Sequence, residues 1–328
     1  VETFEYVMGN CLIPLDDMEC ASRIKKEYLP YLRYDSHIYQ MPLAMSFEGI
    51  YVNLDLFKEE GLEIPTTYEE LCQVSEEILD RGKIPFLFAD KESWTVHQNW
   101  ECIEGAARGN FEEFWTEVAE GKTTFTEDDI SKGSLEKLIK LHQYTTEEYS
   151  NFNYDEAMIR FAAEESFMFI QGSWAYRNIM ERNPQMNLEL IPFPVDKGQK
   201  QFVTLWIDSS VGISRDCKHP EEAQKFIEFL MKPENLQIYL DAECSLGSME
   251  GSIDRAEYAP RVHRLLSEGN AVMDASWLPL QTSVIRDTDI GALMPNAGEE
   301  EVRDYLEKYT KSLQKHKDLY LEAKEKRK

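Results

Sequence analysis

The chain has 328 residues, 61 of them acidic and 35 basic, for a net charge of −26. A surface this acidic repels polyphosphate and argues against nucleic-acid binding, while 42% hydrophobic residues suffice for buried cores and the length suits two domains or one large one. The longest apolar runs, residues 167–170 and 229–231, fall far short of the ~20 residues that span a bilayer, and the chain does not open on a basic–apolar–small targeting signal.

In chain order, an early apolar run, Cys11-Leu12-Ile13-Pro14-Leu15, is followed by a strand predicted over 39–53. Ile50, Tyr51 and Val52 are β-formers, and Asn53 can cap a short helical turn carrying Leu56 and Phe57. Gly61 can take the left-handed conformation that ends such a turn. Thr67, with Glu70 three residues on, makes a capping box for a helix whose apolar face is Leu71, Cys72, Ile78 and Leu79. Further strands are predicted over 85–89, 166–171, 188–194 and 202–214. Helical spacing links Leu135, Leu138 and Ile139. After the His219-Pro220 entry it links Phe226, Ile227 and Leu230, and near the end Val302, Tyr305, Leu306, Tyr309 and Leu313. Helices alternating with short apolar strands indicate an α/β architecture.

Motifs for chemistry are missing. The chain has no GxSxG, HExxH, P-loop or GxGxxG. The six histidines are scattered without a second ligand at helical spacing, so neither a metal nor another cofactor is expected. Abundant carboxylates make any Asp/Glu pair uninformative about glycosidase chemistry. The six cysteines form no CxxC; an oxidising compartment would permit a Cys11–Cys20 bridge.

Three blocks carry a resemblance. They are 49–71, GIYVNLDLFKEEGLEIPTTYEEL; 161–194, FAAEESFMFIQGSWAYRNIMERNPQMNLELIPFP; and 211–229, VGISRDCKHPEEAQKFIEF. In this order they resemble the solute-binding proteins of bacterial ABC importers, the carbohydrate-binding group in particular. The resemblance implies a two-lobe α/β fold of the periplasmic-binding-protein kind, with a ligand cleft between lobes and strands crossing near 43–48, 205–209 and 270–276. One lobe would comprise 1–47 and 208–275, the other 48–207 and 276–328. The first crossing arrives within 50 residues, where the family places several βα units beforehand, so the amino-terminal lobe reads as incomplete.

The family implies capture of a sugar or oligosaccharide and delivery to the permease subunits, by a monomer outside the cytoplasm, tethered as a lipoprotein or free in a periplasm. Sugar rings stack on aromatic faces while their hydroxyls need polar partners. Trp174, in Gly172-Ser173-Trp174, matches the position of a sugar-stacking tryptophan in relatives. Trp94 follows the 85–89 strand where relatives carry an aromatic. Trp206, Asp208 and Trp277 flank predicted crossings, and Glu48 lies on the first one as a candidate hydroxyl acceptor. For each, a structural role competes: a packed indole, a turn cap for Asp208, a salt bridge for Glu48. Tyr176, beside Trp174, is a weaker candidate, and Trp100 and Trp115 are expected in the core. Two alternatives stay open at this point: a glycosidase-like enzyme, or a fragment that binds without supporting transport.

Overall fold

The computed structural model describes residues 6–273 and 288–326. Its spine is β3 (Met41–Asn53), buried along almost its entire length. The first half of β3 pairs antiparallel with β7 (Val203–Val211) and touches β8 (Leu246–Gly247). The second half pairs antiparallel with β5 (Met168–Gly172) and β6 (Leu188–Ile191). Parallel strands complete the mixed sheet, β4 (Phe86–Leu87) beside β5 and β9 (Ala271–Met273) beside β7. A small ribbon, β1 (Arg33–Tyr34) with β2 (His37–Ile38), precedes the spine.

Strand side chains alternate between faces, and β3 uses both. Ile50 and Val52 enter one core together with the helices Tyr68–Asp80, Ser93–Arg108, Phe111–Ala119, Asp129–Leu141 and Glu299–Lys315. Met45, Phe47 and Tyr51 enter the other, with Tyr154–Ala162, Ala175–Arg182, Pro220–Leu230, Pro233–Glu243 and Pro260–Ser267. Helices on both faces of a sheet make the α/β class expected from the sequence.

Local signals act as predicted. Asn53 accepts from the amides of Asp55 and Leu56, Gly61 sits at φ 64°, and Thr67 and Glu70 close their capping box. Leu135, Leu138 and the Val302-to-Leu313 stripe are buried. One expectation is corrected and one open possibility is settled. The helix Pro220–Leu230 turns inward on Ile227 with Ala223 alongside, so Phe226 and Phe229 lie 59% and 56% exposed. All six cysteines are free thiols, so no Cys11–Cys20 bridge exists. Cys11 is exposed whereas Cys20 is buried, its thiol pushed up to about 12 by burial and by Glu228.

Candidate functional site at the waist of the sheet

β3 and β7 run antiparallel from Met41↔Val211 to Phe47↔Leu205, and their register slips twice. Pro42 faces Ser210 and Ala44 faces Ser209, leaving Leu43 without an opposite residue; Met45 then faces Ile207, leaving Asp208 extra. Bulges of this kind bend a ribbon and re-aim the side chains beside them. Alternation puts Ser46 and Glu48 of β3 on one face with Thr204 and Trp206 of β7. The bulge sets the Asp208 carboxyl near enough to Ser46 for that side chain to oppose the upward shift of the carboxyl.

Trp206 is half-buried, and its indole N–H donates to Glu48 Oε1 at 2.8 Å. Glu48 is 1% exposed, so the bond satisfies one buried carboxyl oxygen and pins the ring at once. Trp174 meets Trp206 edge-to-face, centroids 6.0 Å apart and planes at 85°, an arrangement the ring quadrupoles favour. Three contacts hold the turn that carries Trp174. Ser173 donates its amide to the Phe47 carbonyl at 2.8 Å, and its Oγ accepts from the Phe47 amide at 3.2 Å. The buried Tyr51 hydroxyl donates to the Gly172 carbonyl at 3.1 Å. Gly172 supplies the room, because a Cβ there would fall 2.0 Å from the Trp174 ring.

A second wall comes from two helices. Trp94, 43% exposed, packs its ring 5.3 Å from that of Tyr154. The Tyr154 amide donates to the Glu92 carboxylate at 2.8 Å, tying the start of Ser93–Arg108 to the start of Tyr154–Ala162. Burial foremost, then Asp155, and farther off Asp208, raise the Tyr154 phenol, while Arg182 and the Trp174 indole oppose the shift. Asp208 keeps contact with solvent by surface area. Even so, desolvation of its carboxyl is the main cause of a value above the usual carboxylate range, with Ser46 opposing and Glu243 adding. Tyr239 is raised likewise by burial, with Asp208 and Glu243 adding to the effect. Arg177 donates to Glu243 at 2.6 Å and to Glu181 at 2.9 Å.

Trp174, Trp206, Glu48 and Asp208, separated by up to 160 residues in sequence, thus form one cluster, and Trp94 joins it through Tyr154. Trp277 lies outside the described residues. Tyr176 stacks on Tyr258 at 3.7 Å and 7°, which occupies its ring face. Trp100 and Trp115, 1% and 2% exposed, are core residues as expected. Sequence reading missed Ser46, Tyr154 and Tyr239. The only local signal at Tyr154 is the Asn153–Glu156 capping box, which announces a helix and says nothing of the cleft. Ser46 could have been found from the period-two spacing with Glu48. Half-exposed ring faces flanked by carboxyl and hydroxyl groups suit a ligand that is apolar on its faces and hydroxylated at its rim. Among the described residues no cluster of three His, Cys, Asp or Glu is placed to hold a metal ion, and no helix is long and apolar enough to cross a membrane.

Residues 4–265 match the family model of the bacterial extracellular solute-binding proteins. The chain belongs to that family. Among curated relatives, the multiple sugar-binding protein of Streptococcus mutans is 27% identical over 234 residues, covering 70% of this chain and 56% of the relative. An uncharacterized ABC transporter extracellular-binding protein of Pyrococcus horikoshii is 24% identical over 266 residues, covering 79% and 57%. This solute-binding protein therefore spans a little over half the length of those relatives. Among solved structures, the solute-binding protein RafE in complex with raffinose superposes with a TM-score of 0.79 at 23% identity, over 96% of this chain and 83% of that one. A chitin oligosaccharide binding protein reaches 0.78 at 19%, over 96% and 81%. These likenesses establish the two-lobe solute-binding fold. The family is one of extracellular solute-binding proteins, and the relative from Streptococcus mutans is named as a sugar-binding protein.

Proposed function

We propose that this solute-binding protein captures a sugar or oligosaccharide at the waist of the sheet and hands it, unaltered, to the permease of an ABC importer. The observation that carries the proposal is the Trp174–Trp206 pair, held edge-to-face with the Trp206 N–H anchored on Glu48. Rigid, half-open indole faces beside carboxyl and hydroxyl groups are what a pyranose needs. Trp94, Asp208 and Trp277 are proposed to complete the contacts. Matched proteins named for multiple sugars, or solved with raffinose and with stachyose, point the same way.

In this proposal residues 1–47 with 208–275 form one lobe and 48–207 with 276–328 the other. β3 and β7 cross between them, and their paired bulges at Leu43 and Asp208 are where the ribbon bends. Ligand contacts on both sides favour the closed state, because only that state makes both sets. Opening has to break the ion pairs that span the boundary, Arg177 with Glu243 and Arg261 with Glu189. The protein acts as a monomer outside the cytoplasm, as a membrane-tethered lipoprotein or in a periplasm.

The test is a thermal-shift panel of mono- and oligosaccharides with amino acids and polyamines as controls. A ligand of the native state raises the melting midpoint by mass action. A shift confined to saccharides is expected; a shift from amino acids or polyamines alone would overturn the proposal, as would glycoside turnover.

A further inference from the structure

The helix Ser93–Arg108 is buried on all sides from Thr95 to Ala106, although only one of its faces meets the apolar core. Val96, Trp100 and Ile103 supply that face. The opposite stripe, at i, i+4, i+7 and i+11 spacing, is Trp94, Gln98, Glu101 and Gly105. Both ends of this stripe are located. Gly105 lies against Thr204, whose Oγ1 would sit 2.3 Å from an added Cβ. Trp94, at the other end, packs on Tyr154. Cys102, one turn beyond Gln98, is close enough to Glu48 for that carboxylate to raise its thiol, after burial as the main cause. Thr204, Glu48 and Trp206 share one face of the crossing strands, and the stripe that carries Gln98 runs from Gly105 against Thr204 to Trp94 against Tyr154.

Gln98 is 3% exposed, and among the described residues neither its amide oxygen nor its amide nitrogen has a hydrogen-bond partner. A buried, unpartnered amide costs the fold free energy that an apolar side chain of the same shape would not. Nothing in the helix needs it, since glutamine gives no better helix propensity than methionine or leucine. We infer that Gln98 is a ligand-contacting residue, its side-chain amide donating from Nε2 and accepting at Oε1 from adjacent hydroxyls of the captured sugar. A planar carboxamide offers one donor and one acceptor side by side, and a vicinal diol offers the complement. Trp94 would supply the stacking surface one turn earlier on the same stripe. The inference rests on the proposed capture of saccharide and adds the specificity: a requirement for neighbouring free hydroxyls.

The experiment is titration of tryptophan fluorescence with raffinose and with stachyose, for wild type, Gln98→Met and Gln98→Leu, alongside thermal melts without sugar. Methionine keeps the volume and removes both polar atoms; leucine guards against a repacking artefact. The expected result is a loss of affinity of about tenfold or more in both variants, with an unliganded midpoint equal to or above that of wild type. Wild-type affinity in both variants, or a lowered midpoint with affinity retained, would make the amide structural and sink this inference alone. Wild-type silence toward both sugars and across the whole saccharide panel, in a chain that melts cooperatively, would sink the capture proposal and this inference with it.

Discussion

Two tryptophan clusters divide the molecule, and they use the same side chain in opposite ways. In the helical core, Trp100 and Trp115 are ringed by aromatics. Trp100 meets Tyr309 at 5.2 Å and 75°, Trp115 meets Phe125 at 5.7 Å and 86°, and Phe125 meets Tyr309 at 4.8 Å and 90°. No ring face there is left over. At the waist, Trp174 and Trp206 form a single edge-to-face pair, both half-buried, pinned by polar groups instead of by further rings. What separates a structural indole from one proposed to bind is thus how it is held. Packing from all sides immobilises a ring and consumes it, whereas a hydrogen bond at one edge and a glycine beneath immobilise it and leave a face free.

The comparison can be broken first in the core. Trp115→Ala should cost about 3–5 kcal/mol of stability in chemical denaturation, with saccharide affinity of the folded fraction unchanged. Lost affinity at retained stability would erase the distinction between the clusters. Acid probes the same region. His97 lies among Trp100 and Tyr309, 1% exposed and without a partner on either ring nitrogen. Burial alone lowers its value from 6.5 to about 4. A depressed base stabilises the fold above its unfolded value and loses that contribution as pH falls from 6.5 toward 4. At ~1.4 kcal/mol per pH unit the loss approaches 3 kcal/mol. Stability measured against pH should fall across that window in wild type and flatten there in His97→Leu.

At the waist the order reverses. Trp174→Ala should weaken saccharide binding by about 2 kcal/mol, roughly thirtyfold, with the melting midpoint nearly unmoved. Gly172→Ala should act in the same direction, since its methyl must displace the Trp174 ring; titration calorimetry of the pair, with the double variant, should give non-additive losses. The smallest effect belongs to Asp208→Asn. A carboxyl raised in the folded state disfavours folding once pH climbs through its folded value, so the amide should lift the midpoint slightly at neutral pH. That gain should vanish below the ordinary carboxylate range, and a gain that persists in acid would assign it to something other than the charge.

Much of this was legible beforehand, and the failures have physical causes. The capping signals around Asn53, Gly61 and Thr67 concern residues within four positions of one another, so the sequence alone specifies them. The family blocks located the turn Gly172-Ser173-Trp174 between strand and helix because such a turn needs particular residue types. Sequence could not supply cross-strand register. Whether Asp208 pairs or bulges depends on Leu43, 165 positions away, and neither residue carries a local mark of it. Tyr154 was invisible for a related reason, since its place in the cleft is set by Glu92 and Trp94, about 60 residues earlier. Phe226 misled through periodicity, which finds an apolar stripe and cannot say how much of it is covered.

The spine strand has one more consequence. β3 lends residues 41–47 to one set of strands and 48–53 to another without interruption. Neither set can dissolve while the other persists, because losing either strips half the ladder from a strand buried on both faces. The folding of the two halves is therefore coupled through a single element, and denaturation should pass through one sigmoid with coincident fluorescence and circular-dichroism midpoints. In the proposed mechanism the molecule flexes at its middle, and the continuity of this one strand keeps it from coming apart there.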